Sequence, residues 1–314
     1  MSITGKALDW QLLKRVFQYI KPFKRVFYLT VFLTVVLAVL APLRPWIIQV
    51  ILDKYIALGD YMGLVQMTFI LVALLVTQSI IQFVYTFRTN WLGQKVVNAL
   101  RVRLFKHIIH FRLPYFDKTA IGTPVTRVVS DMETVGSIFS NGIITIISDI
   151  LQMTGVLIFM FYIDWQLALM VLLPIPVLVV ATNIFKNKIR KVFTDVRDKV
   201  SELNVFVQEH LTGMRIVQIF NREQQEMDKF KKINEQHREA HIRSVWYYSI
   251  FFPVVEILSA TSIALLIWWG AKGVIADRLT VGILVEFLLF LYMLFRPIRE
   301  LADKFNTLQM GMVG

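Results

Sequence analysis

Cysteine is absent from all 314 residues. That one absence removes a disulfide framework, a thiolate metal site and a thiol nucleophile together. Histidine is scarce, at five residues, and shows no metal-ligand spacing. His107 and His110 are three apart on a polar stretch with no third ligand nearby in sequence. Period-two alternation of apolar and polar residues is missing as well, which removes strands as the main element. Charge is thin, at 18% of positions, and it is gathered into blocks that leave long intervals almost free of it. Met1–Arg25 lacks an apolar core followed by a small-residue cleavage site, so no cleavable signal peptide is expected.

The intervals between the charges hold most of the information. Apolar residues make up 56% of the chain and the mean hydropathy is +0.59, too apolar for a soluble domain of this length. A helix needs about 20 mostly apolar residues to cross a bilayer. Six runs meet that length or approach it: Val26–Leu52, Met62–Phe87, Phe139–Ile163, Trp165–Phe185, Trp246–Gly270 and Thr280–Phe295, the last running on past its charged end. Two long polar stretches, Arg88–Glu133 and Lys186–Arg243, separate them into three pairs. On the opposite side the connections shrink to Asp53–Tyr61, to Asp164 with Trp165, and to Ala271–Leu279. The pattern predicts an all-α membrane protein of six transmembrane helices, with long helical extensions on one face only.

The formal net charge of +12 invites a nucleic-acid reading, and its distribution argues against one. Met1–Arg25 carries six basic residues against Asp9, Arg88–Glu133 eight against three acidic, and Lys186–Arg243 thirteen against nine. The short connections hold three basic residues (Lys54, Lys272, Arg278) and four acidic ones (Asp53, Asp60, Asp164, Asp277). An excess of lysine and arginine marks the cytoplasmic side, so both termini and both long loops are expected inside. No basic, aromatic-interleaved motif of a nucleic-acid reader is present. The charge is accounted for by topology and by attraction to anionic lipid. In the N-terminal segment, residues 1–25, Trp10, Leu13, Phe17 and Ile20 share one helical face, with Lys14, Arg15 and Lys21 around the other. This predicts an interfacial helix ending in a bend at Pro22.

Each long loop reads as two helical arms around a short tip. In the first, Trp91–His110 runs out and Val125–Phe139 returns, with Pro114 and Gly122 as punctuation and Pro124 in a first helical turn. In the second, Lys186–Leu211 runs out, Thr212 and Gly213 interrupt, and Met214–Arg243 returns. An arm of about 20 helical residues reaches about 30 Å beyond the membrane. Tyr115, Phe116, Ile219 and Phe220 on such water-facing tips make sense if another domain receives them.

The tips also carry a resemblance. Leu113-Pro114-Tyr115-Phe116-Asp117, then Gly122, Thr126-Arg127 and Asp131, resembles the first intracellular loop of ATP-binding-cassette exporters. Glu209, Gly213 and Ile216-Val217-Gln218-Ile219-Phe220-Asn221-Arg222-Glu223, with Phe230 after it, resembles their second loop. Pro45 with Asp53 looks like the end of their first span, and Phe287, Tyr292, Pro297-Ile298, Leu301 and Gln309 look like their sixth span and its exit. The resemblance covers essentially the whole chain, with bacterial lipid-flippase and multidrug half-transporters as its nearest type, and it makes residues 26–312 the transmembrane domain. It implies a translocating half that exports lipids or amphiphilic drugs. Partners would be a second half, identical or not, the bilayer, and nucleotide-binding domains that carry ATP and magnesium. Contact with those domains would fall to Tyr115, Phe116, Asp117, Arg215, Gln218 and Phe220. Two features depart from the pattern. Pro124 stands where the family usually has leucine, and the chain stops at Met312-Val313-Gly314, where the family runs on into its ATPase. No G-x-x-x-x-G-K-[ST] loop is present, so this chain alone is expected to hydrolyse no ATP and to hold no cofactor. It reads as a membrane domain cut from a longer protein, or as a subunit whose ATPase is a separate chain.

Polar residues inside a bilayer are costly and suspected of function. Arg44, Arg88, Asp149, Glu256 and Glu286 qualify, with Gln78, Gln82, Gln152 and Asn183. Glu256, three residues after Pro253, is a candidate holder of a cationic substrate group, or else a packing contact. The resemblance places the sixth span at the substrate path, which makes Phe287, Phe290 and Phe295 cavity candidates, and Phe252, Gln78 and Gln82 complete the set. Arg44 and Glu286 are placed to form an outer lock, and Asp149 to pair with an amide such as Gln152. Trp165, Trp268 and Trp269 suit a headgroup belt. A secondary transporter with a proton site at Asp149, Glu256 or Glu286, or a channel or scaffold, is the competing class. Neither accounts for the paired tips.

Overall fold

A computed structural model describes residues 18–119, 122–137 and 144–313 of the protein. Trp10, Leu13 and Phe17 of the expected interfacial face, and the first residues of the expected third span, lie outside these. Among the described residues there is no strand, and six helical stretches are long and apolar enough to cross a membrane. In hydrocarbon no water can serve a backbone N–H or C=O, so each span must satisfy its own. The protein is a multi-pass membrane protein.

The first span is not one helix. A 3₁₀ turn at Lys21–Phe23, containing Pro22, leads into α1 (Lys24–Leu40). The chain turns at Ala41 and Pro42 and resumes as α2 (Leu43–Val50), which runs through a π-helical turn at Ile51–Ile56. Proline lacks the N–H that would continue the ladder, and the helix ends before it. The fourth span breaks the same way, with α8 (Trp165–Leu172) separated from α9 (Ile175–Thr212) at Leu173 and Pro174. By contrast, α3 (Tyr61–Ile108) is 48 residues without interruption. At 1.5 Å per residue it is about 72 Å long, more than twice the hydrocarbon thickness of about 30 Å.

Two compact units divide the chain, one formed by Met1–Val171 with Ile263–Gly314 and the other by Leu172–Ser262. In the first, α3 leads to the short α4 (Leu113–Lys118), then α5 (Gly122–Thr126) and α6 (Met132–Ser137) with a π-helical turn between. The third span is α7 (Ile144–Ile163), and the sixth is α12 (Val281–Val313). α1 packs on α3 and α7, and α12 packs on α2, α6 and α7. Between α1 and α7 the approach is backbone to backbone. A Cβ on Gly155 would stand 2.9 Å from the Ala38 carbonyl oxygen. Lipid offers helices no hydrophobic reason to associate, so close packing at small residues supplies it. Thr30 and Thr34 are buried nearby without a cross-helix partner, because each hydroxyl donates to the carbonyl four residues back at 2.9 Å.

Three of the four acidic residues of the short connections, Asp53, Asp60 and Asp164, turn out to be helix caps. Asp60 accepts from the Gly63 N–H at 3.0 Å at the start of α3. Asp164 accepts from the Leu167 N–H at 2.6 Å at the start of α8. Asp53 caps at long range: it accepts from the Gly282 N–H at 2.9 Å, from the Thr280 hydroxyl and from Gln49 at 2.7 Å, tying the π-helical turn after α2 to the N-terminus of α12. A Cβ at residue 282 would fall 2.5 Å from the Asp53 carboxylate, so only glycine admits this approach.

The second unit is an antiparallel helical hairpin. α9 descends, α10 (Met214–Ile219) forms the tip, and α11 (Glu223–Ile275) returns, its last residues belonging to the first unit. Phe185 stacks on Phe251 at 4.0 Å, Lys199 bonds Gln236 at 2.7 Å, and His210 bonds Glu226 at 2.7 Å. From Phe185 to His210 is 25 residues and from Glu226 to Phe251 is 25, so the two arms stay in step along their length. At helical rise that is about 37 Å.

Two substitutions test this frame. Gly155→Leu should cost about 1–3 kcal/mol by forcing α1 from α7, seen as a lower midpoint of thermal unfolding in detergent. Gly122→Ala, where nothing lies within 4 Å of the added atom, should leave the midpoint unchanged. Asp53→Ala orphans three donors, and a loss of roughly 1–3 kcal/mol is expected by the same measurement.

Candidate functional site

The break at Ala41 and Pro42 opens one wall of a cavity in the first unit. Its volume is about 640 Å³. Ala41, Arg44 and Pro45 come from the end of the first span, Gln78, Gln82 and Tyr85 from α3, and Thr145, Ser148, Asp149 and Gln152 from α7. α12 contributes Leu289, Tyr292, Met293, Arg296, Glu300 and Lys304, which recur every three to four residues and so share one stripe. Gln78 is held by donating to the Leu40 carbonyl at 2.6 Å. That carbonyl ends α1, where an intrahelical partner is lacking.

An ionic ladder runs along this stripe. Arg296 bonds Glu300 at 3.3 Å, Glu300 bonds Lys304 at 2.9 Å, and Lys304 reaches across to Asp149 on α7 at 2.5 Å. Asp149 therefore pairs with a cation and not with an amide; Gln152 donates to the Ser148 hydroxyl instead, at 3.2 Å. The Arg44–Glu286 lock is not formed. Arg44 faces the cavity, while Glu286 is 1% exposed and has no place in the cavity wall. A helix that packs one stripe inward cannot turn the adjacent one to the same place.

The same periodicity sets two of the cavity candidates apart from this cavity. Phe287 and Phe290 are 0% exposed and take no part in the cavity wall. They sit on the packed stripe of α12 with Leu291 and Leu294, and the cavity is met by Leu289, Tyr292 and Met293. Gln78 and Gln82 do line it. Glu256 and Phe252 lie on α11 in the second unit, both exposed, with Phe252 stacked on Tyr248 at 5.7 Å. The cavity of the first unit has neither in its wall. Arg296, Glu300 and Lys304 were missed because they lie at or beyond the apolar end of the sixth run. Their spacing of four was the available signal.

The tips are the second part of the site. In α4 the Tyr115 ring is half-buried between Phe111, at 4.5 Å, and Phe116, at 5.5 Å, while Leu113, Phe116 and Asp117 are exposed. At α10 the exposed side chains include Arg215, Ile216, Gln218, Ile219 and Phe220, the last at 70%. Asn221 follows with φ of 47°, and the turn it makes starts the return arm. Among the described residues no group of histidine, aspartate and glutamate is arranged to hold a metal. The cavity's amides, hydroxyls and paired charges suit binding of a polar group.

Removing one partner of the Asp149–Lys304 pair tests how far it is shielded from water. Lys304→Met should cost about 2 kcal/mol of thermal stability, less than the roughly 3–5 of a fully buried pair. Adding Asp149→Leu should restore most of it.

Comparison with known proteins places the six-helix fold in a family. The profile of the ABC transporter transmembrane region matches residues 27–298. The uncharacterized ABC transporter ATP-binding protein YknV of Bacillus subtilis is 30% identical, covering 99% of this chain and 52% of that protein. The ATP-dependent lipid A-core flippase of Desulfotalea psychrophila is 27% identical over 96% of this chain and 53% of its own length. That of Escherichia coli K12 is 25% identical, with 96% and 52% covered. The chain spans about half the length of the curated relatives it matches. With its six membrane-crossing helices and a profile match over most of its length, this chain belongs to the ABC transporter transmembrane region family.

Proposed function

We propose that this chain is the membrane-spanning, substrate-translocating half of an ATP-driven exporter of lipids or amphiphilic drugs. Its motor would be a nucleotide-binding domain outside this chain, loaded with ATP and magnesium, and a second transmembrane half would complete the path. The lysine and arginine excess supports an inner-membrane placement with both termini and both tips cytoplasmic.

The observation that carries the reading is the pair of tips. Two helices of six residues each, α4 and α10, end long helical arms and expose Leu113, Phe116, Ile216, Ile219 and Phe220 to water. Exposed apolar side chains at such a place are explained by a partner that covers them. A continuous helical arm can pass motion from tip to membrane, because a helix curves only gently where no proline, glycine or π-bulge kinks it. The cavity, with amides and charges of both signs, supports a substrate that has a polar head, and the apolar surfaces of the spans suit its tail. The relatives named as lipid A-core flippases support the lipid class.

The test supplies the motor. With a nucleotide-binding domain present, Phe220→Ala should weaken the tip contact by about 2 kcal/mol, as for a buried interface aromatic, or roughly 30-fold. ATP-driven transport into vesicles should fall accordingly, with insertion and thermal stability unchanged. Unaltered coupled transport in both Phe220→Ala and Phe116→Ala would sink the reading.

A further inference from the structure

The base of the second tip holds a histidine that transport itself does not call for. His210 lies in the last turn of α9, three residues before Gly213. Its Nδ1 is 2.7 Å from the Phe206 carbonyl oxygen, and its Nε2 is 2.7 Å from Glu226 Oε2 on α11. Both partners are acceptors. A neutral imidazole has one N–H and serves one of them; only the imidazolium donates to both. The ring also lies flat on Phe206, with centroids 3.8 Å apart and planes 20° apart, which holds it in the plane of the two bonds. The arrangement is built for the charged form.

We propose that His210 and Glu226 form a proton-binding clamp that fastens the base of the second tip, closed while the imidazole carries its second proton and released when it loses it. The two residues are 16 apart in sequence and enclose Gly213, all of α10 and Phe220. With the clamp closed, the tip is a short loop pinned at both ends. With it open, one of two facing oxygens loses its donor, and the last turn of α9 frays toward Gly213. Glu226 stays in place either way, because Lys229 bonds its other oxygen at 2.7 Å. The charged groups bearing on His210 are Glu226 and Lys229, both from α11. From α9 it meets the Phe206 ring and carbonyl, and no charged side chain of α9 or α10 is bonded to it.

The titration directions agree with this geometry. The hydrogen bond to Glu226, then that to the Phe206 carbonyl, raises His210 above its ordinary 6.5. The hydrogen bond from Lys229, then that from His210, lowers Glu226 below its ordinary 4.5. A raised histidine contributes fully below 6.5 and loses its contribution as pH rises through the raised value. A lowered glutamate contributes above 4.5 and loses its contribution as pH falls through the lowered value. The clamp is therefore tightest in weakly acidic solution and opens on the alkaline side. If the proposed coupling holds, alkalinity on the tip side loosens the coupling; the clamp itself does not depend on that reading.

Amide hydrogen exchange on the full chain in detergent tests it, without any ATPase present. Rates are corrected for the intrinsic pH dependence, and protection of residues 213–222 is compared at about pH 6 and about pH 9. Protection should fall about fivefold at the higher pH, the worth of one hydrogen bond. The dependence should persist when His107, His110, His237 and His241 are all replaced by glutamine. In His210→Gln, protection should be low and the same at both pH values. Equal protection of the wild type at both pH values overturns the proposal, and so does a pH dependence that survives His210→Gln. The wild-type comparison alone decides the matter if a variant fails to fold. Because the readout needs no motor, failure here leaves the exporter reading standing, and loss of the exporter reading leaves the clamp.

Discussion

The demand that every backbone hydrogen bond be satisfied inside hydrocarbon governs the rest of this protein. It forces the spans to be helical, and it makes each interruption an event that needs repair. The chain interrupts itself at Pro42, and Gln78 from α3 serves the carbonyl left at Leu40. It starts α12 without a local acidic cap, and Asp53 supplies one from the π-helical turn that follows α2. These two repairs join the first span to the second and to the sixth. The cavity opens at the first of them, so the polar site and the imperfect helix share a cause.

The long arms follow from continuity. Once a helix has left the membrane, each further residue adds one bond at little entropic cost, and α3 runs on even through Gly93. The apolar stretches of α3, α9 and α11 therefore run on into polar ones, and the stops come where glycine or proline permits them, near Pro114 and at Gly213. The second hairpin stays in step because its contacts differ in kind along its length. It has stacked rings near the membrane, an amide–ammonium bond midway and an ion pair at the tip. Each contact fits only one register. The tips are left with apolar side chains exposed, among them Leu113, Phe116, Ile219 and Phe220.

Much of this was legible in the order of residues. Length and hydropathy identified six spans, charge blocks identified the arms, and Gly213 marked the second tip. Pro42 was legible too, yet the first run was read as unbroken because its composition stays apolar on both sides of the turn. Lys304 escaped because a hydropathy window ends where charge begins, whereas a helix face continues. The partner of Asp149 lies 155 residues away, and no local pattern holds that information. Phe287 and Phe290 are cavity candidates by resemblance alone, and which face of α12 they occupy was not legible, because one residue along a helix is a rotation of 100°.

By itself the sequence determined what depends on composition and on periodicity along the chain. That covers the solvent in which the protein lives, the number of its membrane-crossing runs, the place of the long arms, and the family to which the tips belong. Only the tertiary structure decided which side chains meet. The Asp53 cap on α12, the Lys304–Asp149 pair and the choice of stripe that α12 turns to the cavity depend on the rotation and separation of helices distant in sequence. His210 lies between the two cases. Its position near Gly213 is plain in the chain, but its second acceptor exists only because α11 returns in register. Hydrogen bonds and ion pairs act over a few ångströms, and only folding sets distances on that scale.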